Sequence, residues 1–105
     1  MKLNIIVDGR TNAFDVPDNL LTEATDFFEK MDADMDKGWQ MSHEWIEQPN
    51  QKQRCQIAAD KMMSAIHNEN EKMFMLMAAY ILKNLPGTTE VHLDSTGEIS
   101  TIDFI

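Results

Sequence analysis

Lys2-Leu3-Asn4-Ile5-Ile6-Val7-Asp8-Gly9-Arg10-Thr11-Asn12-Ala13-Phe14-Asp15-Val16 opens the chain with two short runs hinged on Asp8-Gly9. Leu3, Ile5 and Val7 fall on one side of an extended chain, and Lys2, Asn4 and Asp8 on the other. A period of two marks a half-buried strand. Asp-Gly suits a two-residue type I′ turn, whose central residues both need positive φ. The return strand over 10–16 then sets Leu3 opposite Phe14 and Ile5 opposite Asn12, and Pro17 ends it.

Working outward, Asp18 or Asn19 can cap a helix that starts near residue 19. Leu20, Ala24, Phe27, Phe28 and Met31 share one helical face, while Glu23, Asp26, Glu29 and Lys30 form the other. The helix should fade across 32–38, where Asp residues and a Gly accumulate. Residues 38–48 are ambiguous: Ser42, Glu44 and Trp45 suit the start of a short helix, which Pro49 would break. From Gln51 to Lys83 there is neither Gly nor Pro. The polar break His67-Asn68-Glu69-Asn70-Glu71 divides this stretch into helices at 51–67 and 69–84, with Asn68 and Glu71 spaced as a capping box. Residues 73–82 are apolar nearly all round, so the last helix should be the buried one.

Val91 and Leu93 alternate with polar neighbours, Asp94-Ser95-Thr96-Gly97 is a turn cluster, and Ile99 to Phe104 is a β-type run. The expected fold class is α+β: an N-terminal β-hairpin, three helices or four, and a C-terminal β-hairpin. The hairpins are expected to join in one antiparallel sheet packed on the helices. An opening hairpin followed by a helix resembles the start of a β-grasp fold, a likeness of topology that implies no function.

The 105 residues fit a single domain, 1–105, with enough apolar content, 43 %, for one modest core. The net charge is −9, and residues 1–49 hold eleven acids against four bases. Such a surface repels phosphate backbones and anionic membranes, so neither nucleic acid nor membrane is an expected partner; basic protein faces and cations are. The N-terminus lacks a signal-peptide pattern, and the single cysteine, Cys55, cannot form an internal disulfide. The expected setting is cytoplasmic.

Two patterns carry candidate function. Asp32-Ala33-Asp34-Met35-Asp36-Lys37-Gly38, running on to Glu44, resembles a degenerate calcium loop of the EF-hand type. Asp32, Asp34 and Asp36 fit ligand positions 1, 3 and 5; Gly38 and Glu44 fit the turn and the bidentate position once one residue, most simply Lys37, is counted as inserted. Without the insertion His43, a poor ligand for Ca2+, takes the last position. The alternative is that 32–38 is simply an acidic helix end, in mild conflict with the helix dipole. The second pattern is apolar: Trp39, Met41, Trp45 and Ile46 form a cluster suited to a protein interface. Nine methionines accompany it; Met serves equally as core filler and as lining for an adaptable partner surface. No nucleophile motif, phosphate loop or dinucleotide fingerprint is present. The sequence therefore favours a non-enzymatic accessory or regulatory protein that meets a protein partner or a second copy of itself, without a cofactor; calcium binding at Asp32, Asp34, Asp36 and Glu44 is the alternative.

Overall fold

A computed structural model describes residues 1–41, 44–94 and 98–105. Strands β1 (Lys2–Val7) and β2 (Arg10–Asp15) form the expected hairpin, with Leu3 opposite Phe14 and Ile5 opposite Asn12. Asp8 and Gly9 both take positive φ, 51° and 82°, as the tight turn requires. Helices α1 (Leu20–Glu23) and α2 (Thr25–Met35) follow, separated at Ala24. A small hairpin, β3 (Trp39–Met41) and β4 (Glu44–Ile46), precedes α3 (Gln51–His67) and α4 (Glu71–Asn84). The chain returns to the sheet as β5 (Glu90–Leu93) and, after a 3-10 turn at Ile99–Thr101, β6 (Asp103–Phe104).

The sheet order is β2-β1-β5-β6. The two hairpins do join, but β1 and β5 run parallel, with Ile5 beside Val91 and Val7 beside Leu93. The sheet is therefore mixed, not antiparallel. Alternation of apolar residues fixes which side chains face the core; it is unchanged when a strand is reversed, so it does not set strand direction. Leu3, Ile5, Val91 and Leu93 all face inward and are buried. The helices cover that face. Ala58, Ala59, Ala65, Ala78 and Ala79 are buried small residues on α3 and α4, and α4 is buried along Met77–Leu82. Phe14 meets Phe74 with ring centroids 4.6 Å apart, which seals β2 onto α4. Gln56, 5 % exposed, donates to the carbonyl of Ile102 at 2.8 Å and so ties α3 to the β5–β6 connection.

Two local details depart from expectation and one meets it. Trp39–Met41 and Glu44–Ile46 are strands, not a short helix: Gly38, at φ +99°, turns the chain out of α2 and the hairpin buries Met41. Helix α2 ends at Met35, within the stretch 32–38 where the sequence predicts that it fades, and Phe28, Met31 and Met35 carry its buried stripe to that end. The α4 cap is Asn70, whose side chain accepts from the Met73 amide, while Asn68 closes α3. Ser42 and the turn cluster Ser95-Thr96-Gly97 lie outside the described residues. Among the described residues, no helix is long and apolar enough to cross a membrane.

Candidate functional site

At the end of α2, Asp32 and the capping residue Asp36 are one turn apart and share a face. Arg54, near the start of α3, reaches across to both. Its Nη1 donates to Asp32 Oδ1 and to the Asp32 carbonyl, each at 3.2 Å, its Nη2 to Asp36 Oδ1 at 2.5 Å, and its Nε to the Pro49 carbonyl at 2.9 Å. The Tyr80 hydroxyl donates to Asp32 Oδ1 at 2.6 Å. Hydrogen bonding to Asp36, then to Asp32, holds the guanidinium even more firmly protonated than usual. Burial, reinforced by Asp32, drives the Tyr80 phenol upward. A cation thus sits at the C-terminus of α2, where the dipole favours one, and relieves the conflict posed by the acids.

Asp34 lies two positions on, about 200° around the helix, and faces the other way. Glu44 is exposed on β4, beside Met41, Ile46, Gln53 and Gln56. The structure therefore brings Asp32 and Asp36 together, around Arg54, and sets Asp34 and Glu44 elsewhere. Among the described residues, no three His, Cys, Asp or Glu side chains are grouped as metal ligands would be. His43 lies outside the described residues.

The second cluster divides by strand parity. Trp39 pairs with Ile46, Gln40 with Trp45 and Met41 with Glu44. Trp39, Met41 and Ile46 share the inner face of the hairpin: Met41 is buried, Trp39 and Ile46 half-buried. Trp45 stands on the outer face and is 56 % exposed.

Trp39 also belongs to a groove that the sequence does not announce. Phe27, Lys30, Met31 and Asp34 form one i, i+3, i+4, i+7 stripe on α2. Met73 and Met77 face them from α4. Trp39 and Lys61 close the end, with Lys61 Nζ 4.8 Å from the centroid of the Trp39 ring. The space enclosed is about 200 Å³. Phe27 is 36 % exposed at its rim, and Met73 is half-buried. Phe27 with Met31, and Met73 with Met77, are visible in the sequence as apolar positions one turn apart, whereas Lys30 reads as part of the polar face of α2; the convergence of the two helices is tertiary.

No family model, curated protein or solved structure matches this chain.

A larger cleft of about 450 Å³ opens at the carboxyl ends of the parallel strands, where Val7 and Leu93 meet Asp60, Met63, Ser64 and His67 of α3. Burial pushes the Asp60 carboxyl up, and Lys61 only partly opposes this. Cys55 is fully buried, and burial followed by the charge of Asp32 pushes its thiol up to about 12.

Proposed function

We propose that this domain is a small acidic interaction module that docks a basic protein partner through the groove between α2 and α4. The observation that carries the reading is the lining: Phe27, Met31, Trp39, Met73 and Met77 meet in one surface-open apolar recess. Methionine adapts to differently shaped side chains, and Trp and Phe supply large contact areas at little conformational cost. The recess is the size of one or two apolar side chains rather than of an extended small molecule. Lys30, Lys61 and Asp34 give its rim mixed charge, with one more base than acid. Selection for a basic partner comes instead from the long-range field of a chain carrying −9. The same field opposes a second copy, since two such chains repel, so a different protein is the better occupant than a homodimer.

Panning a displayed peptide library against the intact domain tests this. The expected result is enrichment of peptides with a bulky apolar anchor among Lys and Arg, whose binding falls at least severalfold for Phe27→Ala without a change in melting temperature. No retained peptide, or equal binding to Phe27→Ala and Met73→Ala, would sink the reading.

A further inference from the structure

Trp45 is an unusual place for the largest side chain. It is 56 % exposed and adds nothing to the buried cluster, yet it is not loose. The indole edge formed by Cζ2, Cε2 and Nε1 rests against Gly38; a Cβ at that position would stand 2.4, 2.8 and 3.0 Å from those atoms. Gly38 is thus required twice, for its φ of +99° and for the space the indole occupies. Trp45 is held along one edge on the outer face of the hairpin, away from Trp39, Met41 and Ile46. Its cross-strand partner on that face is Gln40, while the neighbouring Glu44 belongs to the face of Met41 and Ile46.

A fixed, exposed indole on a chain carrying −9 favours a cation on the ring, and a guanidinium most, because it is planar, weakly hydrated and able to stack. We propose that Trp45 is a docking platform for an arginine side chain of the basic partner, on a second face from the groove. The inference rests on the reading that this domain binds such a partner. A second copy fits poorly. The chain has two arginines, and Arg54 is already engaged by Asp32, Asp36 and Pro49, which leaves Arg10 alone to meet the ring against the repulsion between two acidic chains.

The experiment is fluorescence anisotropy of labelled arginine and lysine homopeptides of equal length, titrated with the whole domain and with Trp45→Ala and Trp45→Phe at fixed salt. The arginine peptide should bind the parent roughly two- to fivefold more tightly than the lysine peptide. The preference should vanish in Trp45→Ala and persist in part in Trp45→Phe, with melting temperatures unchanged. Equal affinity for the two peptides in the parent, or an undiminished preference in Trp45→Ala, overturns the proposal. The apolar-anchored peptides from the library separate the two ideas. If they bind while the arginine preference is absent, only the platform falls; if neither class binds, the interaction module falls with it.

Discussion

The Tyr80 hydroxyl donates to Asp32 Oδ1 across 2.6 Å, joining the middle of α4 to the last turn of α2. Tyr80 is 1 % exposed and is the only tyrosine in the chain. Ultraviolet titration of phenolate therefore reports this contact alone. The phenol is raised in the folded state, so its contribution to stability is complete below the ordinary tyrosine range and is lost only as pH rises through the higher folded value. Phenolate should appear only as the protein unfolds in alkali; in urea it should appear at the ordinary value. Tyr80→Phe should cost about 1–2 kcal/mol in urea denaturation, because Asp32 keeps Arg54 as a partner. A phenol that titrates normally in the folded protein would disprove the contact.

Cys55 offers a second internal reporter. It is fully buried, and its thiol is pushed up to about 12. The reactive species is the thiolate. Labelling by a disulfide reagent at neutral pH should be negligible in the folded protein and should track global unfolding as urea is added. Rapid labelling without denaturant would mean that α3 opens locally at Cys55.

Asp60 should make the domain less stable as pH rises. Its folded pKa is raised by burial, so the stability it contributes is present below its ordinary pKa and lost as pH rises through the folded value. Asp60→Asn, which cannot ionise, should match the parent in strong acid and exceed it at neutral pH. Urea midpoints at several pH values would show the gap opening across the mildly acidic range. A gap that stays constant with pH would assign the effect to something other than ionisation.

Calcium should leave the domain unchanged. Arg54 already occupies Asp32 and Asp36, and Asp34 faces away from them. Thermal melts in EDTA, calcium and magnesium should superimpose. An ion at a hundred times its dissociation constant would add about 2.7 kcal/mol, and each kcal/mol moves the midpoint by roughly 4–8 °C, so binding would be plain. A calcium-specific rise that Asp34→Ala abolishes would show that the helix end rearranges around the ion.

Much of this fold was legible because it is local. Asp8-Gly9 fixes the first hairpin and with it the Leu3–Phe14 and Ile5–Asn12 register. The apolar run 73–82 marks the helix that is buried. What escaped depends on contacts between distant residues. The alternation of Val91 and Leu93 identifies a strand but not its direction beside β1. The spacing of Asp32, Asp34 and Asp36 allows both a loop and an acidic helix end; in a helix it sends Asp34 to the opposite side, and only Arg54, from another helix, shows what the other two hold. Gly38 reads as a helix breaker and is one, but its second role, as the seat of Trp45, needs the hairpin. The groove needs two stripes that the sequence presents forty residues apart.

The parallel pairing of β1 with β5 also sets an order of events for folding. β1 can pair with β2 across a two-residue turn, within microseconds by hairpin standards. Its other edge must wait until both hairpin and helices have been traversed and Glu90–Leu93 swings alongside, a contact between strands far apart in sequence and therefore slow to close. During that wait the inner edge of β1 stays unpaired, with Leu3 and Ile5 uncovered beside it. Docking of β5 is thus the step that removes the early hairpin from reach of other chains, and the speed of that closure sets how long the nascent sheet remains adhesive.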